Sequence, residues 1–264
     1  MRMYNKTWQQ LSNSNYLTIL LVLNFSFFVM VNISLHILRL DIVPYLAMPT
    51  NEWELLFKPW TLITYMFLHI DFFHLLFNLL LLYFTGVLFQ SILGEKRLLY
   101  VYVMSGLVGA LFLLITKWVF PYFVGNYLMG ASAAVMGIIA TLAIYIPEYT
   151  VHLFFLIQMP FKYFALITFV ISTLLDFSFN TGGKITHIGG SLFGLVYAYY
   201  LKKGIDLKSL SFIKMKTDER ESIRKRFKDD DEYLDYLLDK INTKGYNSLS
   251  KKEKEDLFKI SQKK

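Results

Sequence analysis

The stretch "FLHIDFFHLLFNLL", residues 67–80, decides the class of this protein. It leads into an apolar run reaching residue 92, long enough to cross a hydrocarbon layer as a helix. Near the start of that run stand His69, His74 and Asn78. His74 and Asn78 are four residues apart, so they share one helical face. Polar side chains inside a membrane are costly and therefore point to function.

Five further apolar stretches flank this one, giving spans at 16–38, 72–92, 98–119, 132–147, 161–179 and 185–201. The first is too long and too rich in Asn for a signal peptide, and no small-residue cleavage site follows it, so it is expected to be retained. The fourth and sixth are short. Composition agrees with a membrane body. Of 264 residues 55% are hydrophobic and only 18% charged, against about 25% charged in soluble domains. Residues 1–201 hold nine of the 27 Lys and Arg and seven of the 20 acids, and residues 202–264 hold all the others. That split excludes a single soluble fold. It divides the chain into a short segment at 1–15, an all-α membrane body at 16–203 and a charged tail at 204–264. Acids run all through the basic tail, which argues against nucleic acid as a partner. Cysteine is absent, which removes disulfides, thiolate nucleophiles and Cys-ligated metals.

Lys and Arg in short loops set the orientation. With the N-terminus inside, Arg2, Lys6, Lys96, Arg97, Lys162, Lys202 and Lys203 lie inside, and Arg39, Lys58, Lys117 and Lys184 outside. Both termini are then expected to be cytoplasmic. The long connection from Arg39 to Pro59, with Trp53, Leu55, Leu56 and Phe57, has the aromatic and apolar content of a segment resting at the membrane interface. His36 and His152 read as interfacial, and His69 as the maker of a structural hydrogen bond.

Two further polar sets open the short spans. "GASAAVMG" (130–137) places Ser132 after Gly130, and "THIGGSLFG" (186–194) places His187 ahead of Gly190 and Gly194. Ser132 lies 15 residues before Pro147, and His187 lies 15 before Lys202. At 1.5 Å per residue each sits about 22 Å above the inner face. In a layer of about 30 Å both lie a little below the outer surface. These helices run in the same direction, as does the one carrying His74 and Asn78, so all four side chains converge on one layer. A serine becomes a nucleophile when a histidine accepts its proton. The resulting oxyanion needs donors, which Asn and His side chains and a helix start can supply. Gly190 and Gly194 form a small-residue stripe that lets two helices approach closely.

These residues resemble the rhomboid family of intramembrane serine proteases. "HLLFNLL" is similar to the family's H-x-x-x-N segment, "GASA" to its G-x-S-G motif, and "HIGGSLFG" to its H-x-x-G-x-x-x-G. The resemblance covers residues 16–201 and implies a six-span bundle with Ser132 as nucleophile and His187 as general base. His74 and Asn78 would line the oxyanion hole, and Gly130, Gly190 and Gly194 would support helix packing. It implies no cofactor and no metal. The implied partners are transmembrane protein substrates in a lipid bilayer, and the implied location is the bacterial cytoplasmic membrane. Three positions depart from the pattern: Ala133 replaces the glycine after the serine, Met136 an aromatic residue stacking on the histidine, and Thr61 the arginine of a Trp-Arg pair. A non-proteolytic rhomboid-like protein that binds transmembrane helices and controls their trafficking or turnover is the alternative. Zinc and aspartyl intramembrane proteases are set aside, since neither H-E-x-x-H nor G-x-G-D occurs. The loop Phe120–Met129 is expected to cap the site.

In the tail, Leu234, Leu237, Leu238 and Ile241 recur at helical spacing, with Gly245 suited to a C-cap. Ser250 and Glu253 make a capping box for a second helix bearing Leu257 and Ile260. This predicts a helical hairpin similar to the tail of some bacterial rhomboids, serving partner docking, lipid-surface contact or solubility.

Overall fold

The computed structural model describes residues 15–121, 125–153, 157–174, 181–208 and 229–244, with 249, 253, 256–258 and 260. They divide into two compact units, Met1–Leu207 and Lys208–Lys264. The larger unit is an all-α bundle of an integral membrane protein. Its helices are α1 (Tyr16–His36), the short α2 (Val43–Leu46), α3 (Glu52–Phe57) and α4 (Thr61–Thr64), then α5 (Phe72–Leu93), α6 (Glu95–Val119), α7 (Ser132–Tyr145), α8 (Phe161–Phe169) and α9 (Thr181–Lys202). A π turn, Val170–Leu174, continues α8. Among the described residues, α1, α5 and α6 are long and apolar enough to cross a membrane, while Ser132–Tyr145 and Phe161–Thr173 are shorter apolar helices.

Burial is inverted relative to a soluble protein. Asn24, Thr85, Ser105, Thr141 and Thr186 are buried, whereas Phe25, Phe77, Leu111, Ile115 and Leu166 are exposed. A bundle surrounded by lipid gains by turning apolar side chains outward and pairing polar ones inward. Asn24, for example, donates to the Leu20 carbonyl (2.8 Å) and the Tyr102 hydroxyl (3.2 Å). That bond ties α1 to α6.

The helix ends follow local chemistry. Asp71 caps α5 by accepting from the His74 N–H at 2.7 Å. Gly94, at φ +86°, turns the chain from α5 into α6. The helix of the sixth stretch, α9, begins at Thr181, four residues before the expected 185. Gly182 and Gly183 are buried, and Thr186 donates to the Gly183 carbonyl. Tertiary packing thus overrides the weak helix propensity of this glycine pair. For the fifth stretch, expected to reach 179, the described helix runs to Leu174, and residues 175–180 lie outside the description.

α9 packs against both α6 and α7, and α7 also packs on α6. A Cβ at Gly190 would run into the Ala133 carbonyl, and one at Gly194 into the Gly137 carbonyl. The backbones of α7 and α9 therefore touch directly. Two small sheets brace the loops: β1 (Met48–Pro49) pairs antiparallel with β2 (Tyr127–Leu128), and β3 (Thr150–Leu153) with β4 (Ile157–Pro160).

The smaller unit contains α10, Asp230–Lys244. Its Tyr233 and Leu237 cluster with Leu249 and Ile260, against which Leu234, Ile241 and Leu257 pack. Leu238, expected in this stripe, is 47% exposed, and Tyr233 stands in its place. The Lys240 ammonium donates to the Glu253 carboxylate. Gly245 and Ser250, the expected cap residues, lie outside the described residues.

Candidate active site

Gly130 has φ +116° and lies so close to His74 that an added Cβ would sit 2.9 Å from that ring's Cε1. Both facts favour glycine at this position. The Gly130 N–H donates to the Tyr65 carbonyl at 2.9 Å, and the Tyr65 hydroxyl donates to the Gly106 carbonyl at 2.7 Å. The loop leading into α7 is thereby tied to the first connection and to α6.

Ser132 is the first residue of α7, after Ala131 at the N-cap. A first-turn N–H has no partner within its own helix, so the Ser132 backbone can donate toward a bound group. The Ala131 N–H donates to His69 Nε2 (3.4 Å), while His69 Nδ1 lies 3.3 Å from the Phe67 carbonyl. An amide can only donate and a carbonyl can only accept, so these two partners select one tautomer. His69 carries its proton on Nδ1 and keeps a lone pair on Nε2. Burial, reinforced by the neighbouring His74, lowers the His69 imidazole from 6.5 to about 4. The expected structural hydrogen bond of His69 is thus present, and it holds the residue just before Ser132.

A cavity of about 800 Å³ gathers Ser132 and His187 with His74 and Asn78. His74 meets His69 edge-on, with ring centroids 4.9 Å apart. Asn78 is buried and donates from Nδ2 to the His74 carbonyl at 2.8 Å. Its amide nitrogen carries a second N–H. His187 is also buried. All four sequence-predicted polar residues therefore share one space. Gly190 and Gly194 lie outside that lining, in the α7–α9 contact, and Gly130 backs His74. Among the described residues no group of three or more His, Asp or Glu is placed to hold a metal ion.

The three departures have local explanations. Ala133 fits because its methyl faces Gly109, where a Cβ would lie only 2.9 Å away. Met136 lines the cavity, with Sδ 3.9 Å from the Ser172 hydroxyl. Thr61 is buried and donates to the Lys58 carbonyl at 2.6 Å. The described part of the 120–129 loop is fastened through β2 to β1. Thr50 also donates to the Gly125 carbonyl at 2.7 Å. Among the described residues of this loop, Met129 alone lines the cavity.

Sequence reasoning missed two hydroxyls on the π turn. Ser172 lines the cavity, and Thr173 Oγ1 lies 3.3 Å from His187 Nδ1. Adjacent hydroxyls in the outer half of an apolar span were the available signal.

The Rhomboid domain family matches residues 56–204, and a family of unknown function (DUF6576) matches residues 219–263. The chain is similar to Rhomboid protein 1, mitochondrial, of Saccharomyces cerevisiae, at 26% identity over 149 residues, covering 53% of this chain and 41% of that protein. It is similar to Rhomboid protease AarA of Providencia stuartii, at 28% identity over 162 residues, covering 55% of this chain and 54% of the relative. Rhomboid-like protease 3 of Toxoplasma gondii matches at 28% identity over 151 residues, covering 57% and 54%. The matches therefore span about half or less of these relatives' own length.

Proposed function

The chain belongs to the rhomboid family, an intramembrane protease family, and from that premise we propose that it is a serine endopeptidase acting on transmembrane segments of membrane proteins. The observation that carries this reading is the single cavity lined by Ser132, His187, His74 and Asn78. In the proposed reaction His187 Nε2 takes the Ser132 hydroxyl proton as Oγ attacks the scissile carbonyl carbon. The oxyanion that forms accepts hydrogen bonds from the Ser132 N–H, Asn78 Nδ2 and His74. His187 then passes its proton to the departing amine as the C–N bond breaks, leaving an acyl-enzyme. Water, deprotonated by the same histidine, hydrolyses the ester and restores Ser132.

The walls of the cavity suit a transmembrane substrate. On one side they are Phe77 and Leu81 of α5, on another Ile167 of α8 and Ile171 of the π turn. Phe77, Ile167 and Ile171 are themselves exposed, so the cavity borders the surface that faces lipid. An apolar segment can approach there without passing through water. The catalytic domain in this reading is the six-span region 16–203, with segment 1–15 and tail 204–264 in the cytoplasm of a bacterial cell. The bias of Lys and Arg supports that orientation.

Fluorophosphonate labelling of the detergent-solubilised protein tests the reading. Wild type should label, and Ser132→Ala and His187→Ala should not. Folded wild type that stays unlabelled beside a labelled control rhomboid would replace this reading with the helix-binding one.

A further inference from the structure

A general base must keep its lone pair on the nitrogen that faces the nucleophile. If His187 Nε2 serves Ser132, the ring proton resides on Nδ1, and in a buried site that N–H needs an acceptor. Thr173 Oγ1 lies 3.3 Å from Nδ1, and both residues are buried. A threonine hydroxyl accepts one hydrogen bond while donating another. The donated bond has a destination, since the Ser172 hydroxyl lies 3.5 Å from Thr173 Oγ1 and itself reaches the Phe169 carbonyl at 3.4 Å. Protons can therefore be ordered in one direction, from His187 Nδ1–H to Thr173, to Ser172, to a backbone oxygen.

The local backbone explains how Thr173 becomes available. In an ordinary helix a buried threonine hydroxyl bonds to the carbonyl one turn earlier. Thr168 on the same helix does so, donating to the Phe164 carbonyl at 2.8 Å. At Val170–Leu174 the helix widens into a π turn, a feature found disproportionately at functional sites. There the Phe169 carbonyl receives the Ser172 hydroxyl, while Thr173 Oγ1 is directed at His187. The π turn packs against α9, which carries His187.

We propose that Thr173 is a positioning residue for His187, fixing its tautomer and ring orientation from the π turn. This rests on the Ser132–His187 reading. Thr173 does the orienting part of what a buried carboxylate does in a triad and brings no charge to stabilise the imidazolium. It acts through His187 and does not touch the reacting carbonyl.

The test is the rate of Ser132 labelling by a fluorophosphonate across pH 5–9, using full-length Thr173→Val, Thr173→Ala and Thr173→Ser. Valine keeps the shape and removes the acceptor. Alanine removes it with no risk of overpacking, so one of the two remains informative if the other fails to fold. Loss of the bond should slow labelling about tenfold, the rate equivalent of one hydrogen bond. It should also shift the acid limb to lower pH, because the imidazolium loses a hydrogen-bond acceptor. Serine should restore both rate and limb. Valine and alanine proteins that label at the wild-type rate with an unmoved limb would overturn the assignment, as would a serine protein as slow as valine. Wild-type labelling that survives Ser132→Ala would remove the parent reading, a result separable from either of these.

Discussion

The two sides of the cavity are built differently. On one side α7 and α9 meet backbone to backbone, with Gly190 against the Ala133 carbonyl, Gly194 against the Gly137 carbonyl, and Thr141 bonded across the seam to the Gly194 carbonyl at 3.2 Å. On the other side α8 carries exposed Leu166 and Ile167 and gives way to a π turn. Its link to α5 includes an edge-on contact of Phe84 with Phe164, centroids 5.6 Å apart. Ser132 and His187 come from the two helices of the seam. The lesson concerns division of labour: the two groups of the proposed dyad, which would have to keep a fixed relation, sit on interlocked backbones. The wall that a substrate segment would have to pass is made of side chains, which can rearrange.

The sharpest way to break this contrast is to insert bulk into the seam. Gly190→Val would place two methyl groups where the Ala133 carbonyl already meets the helix. Neither backbone can retreat without separating α7 from α9. Overpacking typically costs about 1–3 kcal/mol even where side chains can move, and here the obstacle is main chain. The variant should fail to fold or lose several degrees of thermal stability in detergent, together with all labelling. Leu192→Ala, two residues along on the lipid face and 43% exposed, should change stability by only about 0.5 kcal/mol or less. Equal losses from the two would mean that the seam is not the rigid side.

The same contrast explains what the sequence disclosed. Spacing alone brought Ser132, His187, His74 and Asn78 to one depth, because helix rise is regular and the boundary residues Pro147 and Lys202 are easy to see. The Gly190–Gly194 stripe was legible for the same reason. Irregular backbone was not. Residues 148–160 gave no pattern that anticipated the β3–β4 hairpin, a local pairing that needs only a few residues and no long periodicity. The π turn was hidden for a related reason, since one extra residue in a helix leaves no mark on an apolar run. With it went the encounter of Thr173 with His187. Gly182 and Gly183 read as loop because propensity is a local quantity. Their helical state depends on neighbours that the sequence does not place beside them.

The outer end of the seam depends on a titratable group, which gives a second way to probe the contrast. His69 accepts from the Ala131 N–H only while Nε2 is unprotonated. Folded, the imidazole is held near 4 by burial and by His74. In an unfolded chain it takes up a proton near 6.5. Below pH 6.5 the unfolded state binds the extra proton, so stability falls as the pH drops and the loss is complete just below pH 4. Its full extent is on the order of 3 kcal/mol. Thermal unfolding between pH 8 and 4 should show a steeper acid decline for wild type than for His69→Gln, which cannot titrate. Parallel curves would mean that the junction before Ser132 does not rely on a neutral histidine.

The finest distinction comes from two threonines with the same intrahelical bond, Thr141 buried and Thr168 half-buried. Thr141 on α7 donates to its own helix at the Gly137 carbonyl (2.8 Å) and also reaches the Gly194 carbonyl of α9. Thr168 on α8 donates to its own helix at the Phe164 carbonyl, also at 2.8 Å. Substituting valine at each position removes a hydroxyl of the same kind from a helix of similar character. The intrahelical part cancels in the comparison, leaving the bond across the seam. Hydrogen bonds between membrane helices average about 0.6 kcal/mol and rarely exceed about 1.7 kcal/mol. Thr141→Val should therefore cost about 0.6 kcal/mol more than Thr168→Val in reversible unfolding from detergent micelles. The difference is small because the seam is held mainly by close backbone packing, with the hydroxyl adding register. A much larger gap would shift the origin of its rigidity from shape to hydrogen bonding. A gap of the opposite sign would place the stiffer attachment on the α8 side.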